Sequence, residues 1–396
     1  MIDSPDQQLT AWMRTIRRQL HQQPELSGVE FATAQLIAQR LTELGIPFRN
    51  EVANTGIVAW LGEERPGRLG VALRADMDAL PITEETALPF ASQIPGVMHA
   101  CGHDGHVAML LGAAALLKKA TLPGRIVLLF QPAEEGDGGA ARMIAEGALD
   151  GVGMIFGGHI DRNYALHELV VQPGLICAST DEFTIELTGP GGHAAKPHET
   201  ADCIVAAAQL VTSLQTIVSR ELHPCLPAVV TVGSIHGGTA GNVIADRVVI
   251  EGTVRATNPE TRTISLESLH RMAAATETLH RVQVRCAITE GYPPVVNDAS
   301  AACLAAEVGA GIVGPTLVHG QSLPSMGAED FAYFLQEVPG CMVRFGAQRS
   351  DGQGGPAHSP TFDFDEAILP VGALFLARIA VAALAQMDSP TPQAHP

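Results

Sequence analysis

Along residues 31–45, FATAQLIAQRLTELG, apolar positions recur every three and four residues, the spacing of one face of an α-helix. GIVAWL (56–61) and GVALRAD (70–76) are short continuous apolar runs, as a strand buried on both faces requires. The two signatures then alternate. DGHVAMLLGAAALLKKA (104–120) predicts a helix with Asp104 as its N-cap, GRIVLLFQ (124–131) a buried strand, GGAARMIAEGAL (138–149) a helix, and MIFGGH (154–159) another strand. This alternation predicts an α/β domain on a mostly parallel sheet covered on both faces.

From residue 182 the rhythm changes. EFTIELTG is a strand, residues 200–222 a long helix, AVVTVGSIHG and DRVVIEGTVRAT two strands, residues 260–280 a helix, and RVQVRCAITEG a last strand. The order β-α-β-β-α-β is the split arrangement of ferredoxin-like domains. The expected organisation is therefore an α/β domain in two parts, residues 1–181 and 293–386, interrupted by a compact domain at 182–292. The Pro-rich polar tail 387–396 is expected to be disordered.

Composition narrows the function classes. Lys and Arg number 24 against 42 Asp and Glu, a net charge of −18, which repels phosphate backbones and argues against a nucleic-acid partner. No apolar run approaches the roughly 20 residues of a membrane span, so no membrane association is expected. The first residues carry no apolar signal core, and the chain reads as cytoplasmic. Seven scattered cysteines show no disulfide framework and no C-x-x-C pair.

The candidate chemistry gathers where predicted strands end, the edge at which open α/β sheets bind ligands. VALRADMD delivers Asp76 and Asp78, IVLLFQPAEE delivers Glu134 and Glu135, and MIFGGH delivers His159. MHACGHDGH (98–106) leads into a helix from the same edge. In an extended loop Cys101 and His103 share a side and can reach one ion, His99 has the same parity, and His106 falls in the first helical turn and points elsewhere. A nucleophilic cysteine beside a histidine is the rival reading. Adjacent glutamates at a strand end diverge, so one can bind a metal while its neighbour faces water; by themselves they could equally form a solvated acidic turn.

Taken together, RADMDALP, MHACGHDGH, FQPAEEGDGGA, GGH, GPGGHAAKPH, AGNVIAD, EGTVRATNPE, MGAEDFAYF and AHSP, in that order over about residues 10–385, resemble one family. It is similar to the two-metal amidohydrolases of the acetylornithine deacetylase, succinyl-diaminopimelate desuccinylase and carboxypeptidase G family. C-G-H-D-x-H resembles the branch of hippurate hydrolases, N-acyl amino acid deacylases, N-acetyldiaminopimelate deacetylases and plant auxin-conjugate hydrolases. The resemblance implies an aminopeptidase-like catalytic domain and an inserted dimerisation domain, making a homodimer or higher homo-oligomer.

The same resemblance implies metal ligation by Cys101, His103, Glu135, His159 and His358, and a general base at Glu134. His193 and Asn242 would reach the partner subunit's active site, and Arg255 the substrate's carboxylate. Relatives outside the branch carry a metal-binding His-x-Asp where this chain has Asp76 and Asp78, so both aspartates are read as supporting residues; Glu329 and Asp330 are read as a helix start with a supporting role.

Two divalent ions against one thiolate and one carboxylate leave a positive site that depresses the pKa of bound water. The expected reaction is hydrolysis of an N-acyl amino acid by a metal-bound hydroxide, with Zn²⁺ or Mn²⁺ as cofactor and Co²⁺ or Ni²⁺ also compatible. Alternatives are a deacetylase of a biosynthetic intermediate such as N-acetyldiaminopimelate, and a non-catalytic small-molecule-binding relative.

Overall fold

The computed structural model describes residues 2–136 and 138–388. The chain divides into two compact units. One comprises Met1–Gly174, Val296–Ser322 and Asp330–Pro396, the other Leu175–Val295 and Leu323–Glu329.

The first unit is built on an eight-stranded sheet. Its spatial order is Phe48–Val52, Gly56–Leu61, Ile126–Gln131, Gly70–Asp76, Val152–Asp161, Gly340–Gly346, Leu169–Val170 and Val318–His319. The four strands from Ile126–Gln131 to Gly340–Gly346 run parallel, and antiparallel pairings flank them. Every residue of Gly70–Asp76 and of Ile126–Gln131 is buried, which a strand can be only when helices cover both sheet faces. Leu73, Leu128, Phe130, Phe156 and Val343 from the strands share one core with Leu110 and Leu111 of His103–Lys118 and Phe375 and Ile379 of Leu369–Asp388.

Two sequence expectations are corrected here. Helices Cys203–Glu221 and Glu366–Asp388 are each long and apolar enough, by length and composition, to cross a membrane. The second is mostly buried and packs against His103–Lys118 and Ala299–Val313, as a core helix wrapped by neighbours does. Its last turn also takes in Met387 and Asp388, the first two residues of the expected tail, the rest of which lies outside the described residues.

The N-terminal helix, Gln7–Gln22, is fastened to this unit by charge as well as by Met13, Ile16 and Leu20. Arg17 is fully buried between the rings of Phe90 and Phe364, 4.7 and 4.4 Å from their centroids. Its guanidinium donates to Asp104 at 2.9 Å, Asp363 at 3.1 Å and Glu366 at 3.3 Å. Asp104 also accepts from His21 at 2.8 Å, and the cations hold its pKa far below the usual carboxylate range despite complete burial.

The second unit has a four-stranded antiparallel sheet in the order Ala228–Gly237, Arg247–Ala256, Ser179–Thr188, Gln283–Glu290. Helices Cys203–Thr216 and Pro259–His280 contribute Leu210, Leu214 and Leu269 to a core with Phe183, Ile185, Leu187, Val248 and Ile250. Burial alternates along Ser179–Thr188, the mark of a sheet packed on one face. The element order is the β-α-β-β-α-β read from the sequence.

Replacing Arg17 with Met keeps much of the volume but strands three carboxylates, and such a cut through a buried ion cluster costs about 3–5 kcal/mol. Urea unfolding of Arg17→Met against the parent chain measures it; a loss under about 1 kcal/mol would place the cluster in the range of exposed pairs.

Candidate metal centre

Three parallel strands of the first unit, Gly70–Asp76, Ile126–Gln131 and Val152–Asp161, end at one edge of the sheet. The residues after or at their ends are those the sequence singled out. Cys101, His103 and His159 present donor atoms that all lie within 4.8 Å of one another, as do Cys101, Glu135 and His358, and again His103, Glu134 and Glu135. Cys101 Sγ stands 3.4 Å from His159 Nε2, His358 Nε2 3.1 Å from Glu135 Oε1, and His103 Nε2 3.9 Å from both Glu134 Oε2 and Glu135 Oε1. All five proposed ligands and the proposed base are thus brought together within one unit.

The local backbone is bent to achieve this. Gly102, between Cys101 and His103, has φ +90°, which only glycine adopts without strain, and it opens helix His103–Lys118. Ala133 and His358 carry side chains at φ +53° and +64°, each costing about 1–2 kcal/mol, and both flank the cluster. They are held there by hydrogen bonds: Ala133 N–H donates to Glu30 Oε1 at 2.9 Å, and His358 N–H to the Ala100 carbonyl at 2.8 Å.

A further layer orients the donors. His103 Nδ1 lies 3.0 Å from the Asp78 carbonyl and 3.1 Å from Asp78 Oδ1, so that nitrogen carries a proton, while buried Nε2 has no hydrogen-bond partner. Asp78 also accepts from Ser27 Oγ at 2.6 Å and from the Glu135 N–H at 2.9 Å. His159 Nδ1 donates to the Ile160 carbonyl at 2.7 Å, leaving Nε2 to face Cys101.

Three expectations change. Asp104 does not cap its helix; its carboxylate belongs to the Arg17 and His21 cluster and accepts from its neighbour Gly105. His106 does not point away from the cluster: its ring centroid is 4.8 Å from that of His159. His99 joins none of the donor groups among the described residues; it is buried with neither ring nitrogen hydrogen-bonded, and desolvation pulls its pKa to about 4. Alternation along an extended loop cannot foresee these outcomes, because the loop turns at Gly102.

The electrostatics fit a cation. Burial opposes charge on His103, yet Asp76, Asp78 and Cys101 outweigh it and raise its pKa well above the ordinary value, while its buried Nε2 has no hydrogen-bond partner. The Cys101 thiol is pushed up by burial and by the Glu135 carboxylate, and His358 rises to about 10 beside Cys101 and Glu135. Burial and the neighbouring His106 instead push His159 well below the ordinary value. A thiol, three imidazoles and a carboxylate in one cluster match the donor chemistry of late first-row divalent ions.

His193 and Asn242 lie in the second unit and are neighbours there. Gly192–His193 pairs antiparallel with Val243–Ile244, and the Ala194 N–H donates to the Asn242 carbonyl at 3.1 Å. Exposed His193 makes the local hydrogen bond that a Gly- and Pro-rich loop favours: its Nδ1 accepts from Ala195 N–H at 3.0 Å, which places the proton on Nε2. Arg255, half-buried on Arg247–Ala256, forms no ion pair among the described residues.

A family model described as peptidase family M20/M25/M40 matches residues 72–382. The chain belongs to that family. An N-acetyl-L-cysteine deacetylase of Bacillus subtilis (strain 168) is 42% identical over 367 residues, covering 91% of this chain and 85% of the relative. IAA-amino acid hydrolase ILR1-like 2 of Arabidopsis thaliana is 41% identical over 384 residues, covering 96% and 86%. A crystal structure of a dinuclear metal-binding M20 peptidase from Bacillus subtilis superposes with a TM-score of 0.82 at 34% identity, covering 96% of this chain and 99% of the other. This M20 chain is accordingly an amidohydrolase, and divalent metal ions belong to its chemistry.

The rival reading of Cys101 as an activated nucleophile has a direct check. A buried thiol with a raised pKa should alkylate far more slowly than exposed Cys225 and Cys303. Peptide mass spectrometry after a timed iodoacetamide pulse on metal-free protein reads this, and early labelling at Cys101 would mark it as activated.

Proposed function

We propose that this M20 amidohydrolase cleaves N-acyl amino acids, with Cys101, His103, Glu135, His159 and His358 holding two divalent ions and Glu134 acting as general base. The observation that carries the reading is the bare, buried Nε2 of His103, standing 3.9 Å from both adjacent glutamates and grouped with the Cys101 thiol. Similarity to proteins named as an N-acetyl-L-cysteine deacetylase and an IAA-amino acid hydrolase supports the substrate class. Thiolate and imidazole donors favour Zn²⁺ and accept Co²⁺ and Ni²⁺, and metal availability keeps Mn²⁺ in the set.

Bound ions at these residues would polarise the amide carbonyl and acidify water. The chain supplies the proton traffic. Glu134 accepts a proton from the attacking water and delivers it to the departing amine, so one carboxylate serves both halves of the reaction. Asp78 holds the His103 ring and, through the Glu135 N–H, the backbone between the two glutamates.

His193 offers an Nε2–H donor from an exposed loop of the inserted domain. In this reading that domain pairs two copies of the chain, and His193 and Asn242 serve the active site of the second copy. An oxyanion donor of this kind contributes about 3–4 kcal/mol to the transition state. Arg255, which forms no ion pair among the described residues, takes the substrate's carboxylate.

A panel of N-acetyl, N-benzoyl and indoleacetyl amino acids together with N-acetyldiaminopimelate, assayed with zinc- and manganese-loaded protein, tests the substrate class. Activity abolished by chelation and restored by metal is the expected result; no turnover of any member would favour a non-catalytic binding protein. Glu134→Gln should retain metal while turnover falls about 10²–10⁴-fold. Metal content measured beside kcat checks it, and near-normal turnover in that variant would remove Glu134 as the base.

A further inference from the structure

His106 is buried, and its ring lies edge-on to His159, at 68° and 4.8 Å between centroids. Both of its nitrogens are committed. Nε2 accepts from the Ile160 N–H at 2.8 Å, so the proton is on Nδ1, which donates to Asp76 Oδ1 at 2.5 Å. Asp76 is held in turn by Arg74 at 2.6 Å. An imidazole with both nitrogens engaged in this way has no lone pair left for an ion.

The Ile160 N–H needs such a partner because of where the sheet parts. Parallel pairing between Gly70–Asp76 and Val152–Asp161 stops at Arg74 with Gly157, while on the other side Gly340–Gly346 stays paired through Ile160 and beyond. Past Gly157 one edge of the strand has lost its neighbour, and a buried amide there is destabilising if nothing accepts it. His106 takes the place of the missing strand carbonyl.

We infer that His106 is a positioning residue for the metal-facing imidazole of His159, acting through the backbone of Ile160. His106 fixes the Ile160 N–H, and His159 leans on the carbonyl of the same residue through its own Nδ1–H at 2.7 Å. Ile160 is thereby gripped at both backbone groups, and the His159 ring is set with Nε2 toward Cys101. Asp76 and Arg74 keep His106 in the one tautomer that can accept from Ile160. The pair Asp76–His106 in this chain orients a donor instead of supplying one. This inference rests on the reading of His159 as a metal ligand.

The test compares Zn²⁺ affinity, by competition with a chelator, in the parent chain, His106→Leu, His106→Gln and His159→Ala, with thermal unfolding of each metal-free protein alongside. Removing a hydrogen-bonding partner behind a metal ligand typically weakens binding about 10–100-fold. His106→Leu should fall in that range, and His106→Gln, which restores an acceptor and a donor, should recover most of it. A purely structural role would lower the melting temperature and leave the Zn²⁺ dissociation constant within about twofold of the parent, which overturns the inference. Long-range ¹H–¹⁵N spectra of histidine-labelled, zinc-loaded parent chain give an answer even if both variants misfold: a proton on His106 Nδ1 is expected, and a proton on Nε2 overturns it. If His159→Ala binds Zn²⁺ as tightly as the parent, the ligand reading of His159 fails and the positioning role with it; if only His106→Leu leaves affinity unchanged, the ligand reading stands and this inference alone is lost.

Discussion

A guanidinium buried at the heart of the sheet fixes much of what surrounds it. Arg74 points inward from a strand with every residue buried, and a charge so placed is tolerable only if each of its donors is met. Nε goes to Gln131 on the adjacent strand at 2.7 Å, Nη1 to Asp76 at 2.6 Å, and Nη2 to Asp330, before helix Phe331–Glu337, at 3.0 Å. Asp330 further accepts from Gln131 and from Ala140 N–H. The strand ends that carry the candidate chemistry are thus locked to one another beneath the donors. Asp330 stands at the helix start that the sequence suggests, and it is also the third anchor of this cluster.

The candidate centre draws its chemistry from that rigidity. Cys101 and His103 reach the donors across a left-handed glycine, Glu134 follows a left-handed alanine, and His358 itself is left-handed. The two unfavourable backbone conformations, at Ala133 and His358, persist because neighbouring hydrogen bonds and the packed core over-determine them. The N-terminal helix adds to this through Arg17, which grips the carboxylate of Asp104, the residue next to His103. Protons held on His103, Cys101 and His358 in the absence of metal mark the positions at which a divalent cation offsets the same negative charge more effectively.

Membership of the M20 family and the geometry of the first unit agree on amide hydrolysis with divalent metal ions. Glu134 and Glu135 show how a strand end divides labour: Glu135 faces His358, while both lie equally far from His103. In the proposed reading, oxyanion and carboxylate recognition fall to the second unit, where His193, Asn242 and Arg255 sit on strands and a loop apart in sequence from the donors. The acid-rich composition bears on this site little, because the nearest carboxylates are already matched to Arg74, Arg17 and the histidines.

The sequence by itself determined the alternation of strands and helices over residues 56–159 and the β-α-β-β-α-β order of the second unit, because apolar periodicity is a local property that packing then uses without changing. Residue type and position at strand ends also made Cys101, His103, Glu135 and His159 candidates for a metal site, whereas His358 was named only through the family resemblance. Tertiary structure alone decided the rest. Only folding brings His358 beside Glu135, more than two hundred residues away in the chain, and no spacing rule spans such a distance. Whether Asp104 caps a helix or neutralises Arg17, and whether His106 turns away or braces the strand end at Ile160, depends on partners supplied by distant segments. Those buried polar groups had to be satisfied, and the fold determined by which neighbours.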